Sequence, residues 1–316
     1  MKTKIFGGIL GLCVADALGV PVEFNSRESL MKNPVTEMRG YGTYNQPPGT
    51  WSDDTSMTLC LMDSLTNGLD LGDIMQKFHA WMETGKYTPH GVVFDIGIAT
   101  HKAIRKYANG TEPLMCGGTS EYDNGNGSVM RILPLVFYLF GSPDMKSKND
   151  IFNCIHEVSA LTHAHKRSLV ACGIYLSIAS ELIEAGCDVN KGISRAKKYY
   201  SGKAEFADEL KHFHRIFDDG FKNLPLESIN SSGYVVDTLE AALWCLLNTD
   251  DYKSCVLKAV NLGEDTDTVA VVAGGLAGMK YGADSIPDEW LKQIVRLDYV
   301  EELCEAFYMS LITEGE

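Results

Sequence analysis

Apolar residues recur at helical spacing in one segment after another: Ile74, Phe78 and Trp81, then Leu169, Cys172, Leu176 and Ala179, then Leu239, Leu243 and Leu246. A period of three to four residues puts such positions on one helical face, where they can be buried together. The pattern predicts roughly a dozen helices. Strand-like alternation is scarce, and no strands alternate with helices as a parallel sheet would require. The expected fold is all-α, a compact bundle in a single domain over residues 1–316, because no Pro/Gly/Ser linker or charge run divides the chain.

Two stretches, residues 3–19 and 269–279, are rich in Gly and Ala as well as apolar side chains. Small residues let helices approach closely, so both are expected at the centre. The apolar run Ile5–Val14 is interrupted by Gly7, Gly8 and Gly11 and followed by Asp16. It reads as too short and too broken for a membrane span or signal peptide. Polar loops cover residues 40–55, 116–128, 162–166 and 263–268, each expected to border a helix, which is where bundles place their sites.

Charge narrows the function. Lys plus Arg total 28 against 42 Asp plus Glu, a formal charge of −14 with no basic block, which argues against general nucleic-acid binding. A phosphorylated substrate would be repelled at long range and would need metal ions or a cradle of backbone N–H groups. The nine cysteines include no CxxC pair, so neither a disulfide framework nor a zinc knuckle is indicated, and reduced thiols in a cytoplasm are expected.

Four constellations carry candidate chemistry. Ser52-Asp53-Asp54-Thr55 precedes an apolar helix through Met57, Leu61 and Leu65. Ser52 can cap that helix and the acids suit its dipole, yet adjacent acids beside a hydroxyl also form a hard-oxygen cluster for Mg²⁺ or Mn²⁺. Glu264-Asp265-Thr266-Asp267-Thr268 opens a second apolar helix. Capping by Asp265 explains one acid there, not three in four positions, because clustered carboxylates repel unless a cation sits among them. If the two helix starts converge, they form one oxygen cage able to hold two divalent ions about 3.5 to 4 Å apart.

The third is Asp123-Asn124-Gly125-Asn126-Gly127-Ser128. Its glycines permit conformations that expose successive N–H groups, and a helix capped by Ser128 would favour anions. An ordinary Gly/Asn turn is the plainer alternative. The fourth, Thr162-His163-Ala164-His165, is a thin zinc site, so His163 is expected to bond a substrate or fix a loop. His212 and His214 lie in a charged stretch and are expected in solvent. Glu23 and Asp95 stand among apolar or small residues, where burial would raise a carboxyl pKa and suit it to proton transfer, or where each could be a satisfied structural acid.

Taken together, these segments resemble the ADP-ribosylglycohydrolase family, which includes the dinitrogen-reductase-activating glycohydrolases. The resemblance runs in order through Ala15-Asp16-Ala17-Leu18-Gly19, Pro21-Val22-Glu23-Phe24, Gly49 to Met57, Phe94-Asp95-Ile96-Gly97, Gly125 to Arg131, Thr162-His163, Gly233 to Ala242 and Asp265 to Thr268. It implies an all-α domain with two Mg²⁺ or Mn²⁺ in a cleft, liganded by Ser52, Asp53, Asp54, Asp265, Asp267 and Thr268. It further implies that Gly125, Asn126, Gly127 and Ser128 hold the pyrophosphate and nearby ribose, that His163 contacts substrate, and that Tyr234 lies near the adenine. Asp95 and Glu23 resemble acids that two branches of the family use. The implied activity is removal of ADP-ribose from a protein side chain or small molecule at C1 of the terminal ribose. A monomer without membrane association is expected.

Three positions depart from the family pattern: Ala15 where glycine is usual, Ser52 for threonine, and Glu264, often glycine, which is expected to add charge beside the metals. Two rivals were weighed. One is a non-catalytic ADP-ribose-binding relative. The other is a haloacid-dehalogenase-type phosphohydrolase, since Asp265-Thr266-Asp267-Thr268-Val269 reads as DxDxV, a motif that should end a strand.

Overall fold

Fourteen α-helices lie among the described residues of the computed structural model, which are 1–141, 148–184 and 188–313. The first five are α1 (Lys2–Gly19), α2 (Arg27–Lys32), α3 (Asp53–Leu65), α4 (Leu71–Thr84) and α5 (Ile98–Ala108). The middle of the chain forms α6 (Pro134–Gly141), α7 (Lys148–Ala160), α8 (Lys166–Ile183) and α9 (Val189–Ser201). The last five are α10 (Val235–Leu247), α11 (Tyr252–Val260), α12 (Thr266–Tyr281), α13 (Asp288–Leu291) and α14 (Leu297–Thr313). The only extended pairings among the described residues are two isolated bridges, Gly118 with His163 and Gly125 with Tyr234.

At the centre, α1 packs along α12 more extensively than any other two helices pack. Both are apolar all round and buried, from Gly7 to Gly19 and from Thr266 to Met279, as fits helices covered on every side. Their small residues set the spacing. A methyl group at Gly11 would sit 2.6 Å from the Gly274 carbonyl oxygen, and one at Gly278 would sit 1.9 Å from that of Gly7. Backbone therefore meets backbone along the seam, closer than any side chain would allow. At its end, a methyl at Gly19 would lie 2.4 Å from Asp267 Cα, so the last turn of α1 abuts the first turn of α12.

The reading of Ile5–Val14 as short and broken is corrected. The glycines do not interrupt α1, and Lys2–Val22 is long and apolar enough to cross a membrane, yet 94% of its apolar 18-residue window is buried inside the protein, as a central core helix demands. Outer helices show the expected one-sided burial. In α4, Ile74, Phe78 and Trp81 face the core, Asp70 caps the start, and Gly85 closes the end in a left-handed conformation.

Eight cysteines are free thiols, and the ninth, Cys187, lies outside the described residues. The DxDxV reading is overturned because Asp265 caps a helix instead of ending a strand. Helices begin after the loops at 40–55, 162–166 and 263–268 as expected, but none begins at Ser128. Residues 127–131 form turns, and α6 starts only at Pro134.

Candidate active site

Ser52 caps α3, its Oγ accepting from the Asp54 N–H at 3.3 Å. The start of α3 is also bracketed from α1. Ser52 N donates to the two Asp16 carboxylate oxygens at 3.0 and 3.1 Å, while Thr55 N and Thr55 Oγ1 donate to Asp16 Oδ2 at 3.0 and 2.6 Å. Asp16 is fully buried. An acid in an apolar helix was the available signal for it, but its partners lie 36 and 39 positions away.

Asp265 caps α12 through Thr268 N at 3.3 Å, and the same N–H donates to Asp267 Oδ1 at 2.8 Å. Thr266 Oγ1 donates to the Gly19 carbonyl at 2.8 Å, tying this helix start to the end of α1. The two acidic starts thus meet on either side of α1, and Thr268 Oγ1 donates to Asp54 Oδ1 at 3.4 Å. Ligand-capable oxygens of Asp16, Asp54 and Asp267 lie within 4.8 Å of one another, as do those of Glu23, Asp265 and Asp267. Asp267 belongs to both groups.

None of these acids forms an ion pair with Lys or Arg among the described residues. Burial pushes the carboxyls of Asp16, Asp53, Asp54, Asp265 and Asp267 above the usual range, Asp16 to about 6, and neighbouring acids push Asp53, Asp54 and Asp267 further. Asp54 Oδ2 and Glu23 Oε2 are buried acceptors without a donor. Buried charge is costly unless it is paired or coordinates a cation, so this all-oxygen set fits one or more hard divalent ions. Glu264 is not part of it. Its side chain is exposed, and its backbone, at φ 63°, accepts from Phe24 N at 2.7 Å, so the extra charge expected beside the metals faces solvent instead.

A cleft of about 300 Å³ opens over the acids, lined by Glu23, Asp53, Asp95, Asp265 and Thr268 on one side and by Gly125, Asn126, Gly127 and His163 on the other. Asn126 Nδ2 donates to Asp265 Oδ2 at 2.8 Å and contacts Thr238 Oγ1 at 2.9 Å, so this side chain steadies an acid of the cluster. Neither Gly125 nor Gly127 adopts positive φ. Gly127 is needed for space, because a methyl there would lie 2.8 Å from His163 Cε1 and 2.9 Å from Thr100 Oγ1. Ser128 is buried with Oγ on Cys172 Sγ at 3.4 Å, so it caps no helix and offers the cleft only its backbone. The N–H groups of Gly127 and Ser128 have no backbone partner among the described residues; Gly127 lines the cleft, whereas Ser128 is fully buried.

Beneath this turn, the buried Arg131 donates to the Gly127 carbonyl and to Val158 O, and burial lowers its pKa to about 10. His163 hydrogen-bonds Thr162 Oγ1 through Nδ1 at 2.7 Å. Burial, and then Arg131, push its pKa down to about 3, so the ring beside the cleft is neutral. Tyr234 sits next to the lining residue Gly233, half-buried, with the Arg167 guanidinium 5.8 Å from its ring centroid. His165 caps α8, and His212 and His214 are exposed as expected.

Glu23 is 5% exposed, and burial followed by the Asp95 charge raises its pKa to about 8. Burial also raises Asp95, whose backbone is held at φ 51°. Tyr44 stands beside them, its ring centroid 5.2 Å from that of Phe94, and its nearness moderates the rise of both carboxyls. Sequence reasoning missed Tyr44, and also Thr100, whose buried Oγ1 lacks a partner and which lines the cleft.

A family model described as ADP-ribosylglycohydrolase matches residues 1–316. The chain is 33% identical over 311 residues to the ADP-ribosylarginine hydrolase Tri1 of Serratia proteamaculans, covering 97% of this chain and 80% of that protein. It is 33% identical over 296 residues to the ADP-ribosyl-[dinitrogen reductase] glycohydrolase of Rhodospirillum rubrum, covering 92% and 90%. Among solved structures, an ADP-ribosylglycohydrolase-related protein complex superposes with a TM-score of 0.80 at 30% identity, covering 98% of each chain.

Proposed function

This chain belongs to the ADP-ribosylglycohydrolase family, and on that premise we propose that it removes ADP-ribose from an arginine side chain with the help of divalent cations held between its two acidic helix starts. The observation that carries the reading is the meeting of Asp54 and Asp267, together with Asp16, in one buried group of oxygens that no cationic side chain neutralises. Arginine is the acceptor named for the Serratia relative.

Ser52, Asp53, Asp54, Asp265, Asp267 and Thr268 would hold the ions, and Asp16 stands close enough to share in the task. The pairing of two acid groups through Asp267 supports two ions, with Mg²⁺ or Mn²⁺ suited to such oxygens. When bound, divalent ions supply Lewis acidity and a fixed positive field at the cleft floor. The turn from Gly125 to Ser128, with the unpartnered Gly127 N–H at the cleft, would bind pyrophosphate, and neutral His163 would donate or accept a hydrogen bond without adding charge. Tyr234 would lie beside the adenine.

Hydrolysis adds a water oxygen to C1 of the terminal ribose, breaks the bond from C1 to the guanidine nitrogen, and delivers a proton to that nitrogen. A carboxyl lining the cleft suits the delivery, and Glu23 and Asp95 both line it. Free thiols at all eight described cysteines support a cytoplasmic setting. Packing of α1 on α12, from opposite ends of the sequence, supports one domain.

The test is a mass-spectrometric panel of peptides ADP-ribosylated on arginine or on serine, and of an ADP-ribosyl small molecule, each with Mg²⁺, with Mn²⁺ or with EDTA. Release of ADP-ribose from the arginine peptide, lost in EDTA and restored by metal, is the expected result. Full release in EDTA, or none from arginine, would overturn the corresponding half of the reading.

A further inference from the structure

Beside the two cleft carboxyls stand three aromatic rings that core packing does not explain. Phe24, next to Glu23, is 66% exposed, although the Phe is held at φ 63°, a conformation costly for a bulky residue. A hydrogen bond from Phe24 N to Glu264 O at 2.7 Å fixes it, and Glu264 is itself at φ 63°. Phe94 precedes Asp95, a third non-glycine residue at positive φ. Between them, Tyr44 has its ring centroid 6.4 Å from that of Phe24 and 5.2 Å from that of Phe94.

The loop carrying Tyr44 is clamped to the Phe24 segment. Thr43 N donates to Pro21 O at 3.0 Å and Thr43 Oγ1 to Glu23 O at 2.7 Å. Strained backbone and side-chain hydrogen bonds therefore converge on an arrangement that leaves aromatic surface open beside a pair of acids. Water-exposed rings gain little from such placement, whereas a planar cation gains from both parts. A guanidinium stacks on aromatic faces and donates paired hydrogen bonds to carboxylates, which a hydroxyl-linked acceptor cannot match.

We propose that Phe24, Tyr44 and Phe94 form the acceptor subsite of this enzyme, a wall that receives the guanidinium of an ADP-ribosylated arginine and selects it over hydroxyl-linked ADP-ribose. The proposal rests on the reading of the adjoining cleft as the ADP-ribose site. Charge complementarity supports the occupant, since Phe24 and Phe94 are the chain neighbours of Glu23 and Asp95, two acids that line the cleft.

The test uses the full chain with Mg²⁺ and compares Phe24→Ala, Phe94→Ala, Phe24→Leu and Phe24→Tyr. For an ADP-ribosyl-arginine peptide, kcat/KM should fall about tenfold in both alanine variants and in Phe24→Leu, which keeps bulk but loses the ring, and should be retained in Phe24→Tyr. Affinity for free ADP-ribose, measured by calorimetry, should stay within about twofold of wild type. Equal loss of ADP-ribose affinity would place the rings in the ADP-ribose site and overturn the proposal, as would unchanged kcat/KM in the alanine variants. Wild-type protein that cleaves a serine-linked peptide but not the arginine one would overturn the proposal together with the arginine reading, whereas wild-type activity on arginine with indifferent variants would sink the wall alone.

Discussion

Thr268 Oγ1 lies 3.4 Å from Asp54 Oδ1, a hydrogen bond between residues 214 positions apart. It joins the start of α12 to the start of α3, each of which brings its own carboxylates, and it faces a buried oxygen group that also contains Asp16 and Asp267.

Asp267 belongs to both acid groups, so Asp267→Asn removes one charge from each. In EDTA the variant should melt higher than wild type, because burial and like charges strain the native carboxylate. Adding Mg²⁺ should stabilise the wild type, as a ligand of the native state does, by roughly 2.7 kcal/mol at 100 times Kd, and so raise its melting temperature. The variant should show little such rise and a turnover lower by about 100-fold or more. Equal metal-induced shifts in differential scanning calorimetry would contradict this.

Gly19→Ala tests the contact between the end of α1 and the start of α12. The added methyl would meet Asp267 Cα at 2.4 Å, where backbone must move. Overpacking of this kind costs about 1–3 kcal/mol, and the shift would also spread the acids. Urea denaturation should report the loss, and metal affinity should fall alongside it. A variant with wild-type stability and affinity would show that the contact is slack.

Thr100→Val removes a buried hydroxyl that has no partner within the protein. Stability should hold or rise by about 1 kcal/mol, since an unsatisfied group is lost. If the hydroxyl serves the cleft, kcat/KM should drop about tenfold at the same time. Opposite signs in the two measurements are the signature, and a stability loss without a kinetic effect would mark Thr100 as structural.

His156, which hydrogen-bonds Tyr200 OH at 2.9 Å, has its pKa lowered to about 4 by burial. A depressed histidine binds fewer protons folded than unfolded, so its contribution to stability falls as pH drops from about 6.5 towards 4. The buried acids, raised above their usual values, act in the opposite sense, so the parent protein alone is not diagnostic. The difference between parent and His156→Gln is diagnostic. Between pH 6.5 and 5 the parent should lose up to about 2 kcal/mol relative to the variant, at roughly 1.4 kcal/mol per pH unit. Parallel urea midpoints across that range would refute it.

The sequence announced the helices because their apolar period is long and regular, and it announced the central pair because glycine and alanine at helical spacing need a close partner. The metal-binding acids were legible for a chemical reason: capping accounts for Asp265 but leaves Asp267 and Asp54 without a purpose. Asp16 and Tyr44 were not legible, since each matters through neighbours distant in sequence, and Thr100 was not, since only the fold brings it to the cleft. The turn at 125–131 misled for a specific reason. Its glycines and Ser128 look like a helix start, but Arg131 draws in the Gly127 carbonyl and Met130 N bonds Asn126 O at 3.2 Å, closing a turn while Ser128 swings to Cys172. Glu264 misled because its left-handed backbone, invisible in composition, turns the side chain outward.

The seam between α1 and α12 also bears on how the protein comes into being. Its two sides are made about 250 residues apart, and each is built to meet the other at backbone distance. During synthesis the first helix must wait, apolar on every side, until nearly the whole chain has left the ribosome. A nascent chain stalled before residue 266 would therefore expose its most aggregation-prone segment, and chaperone demand should be concentrated at the start of the message's product until its end arrives.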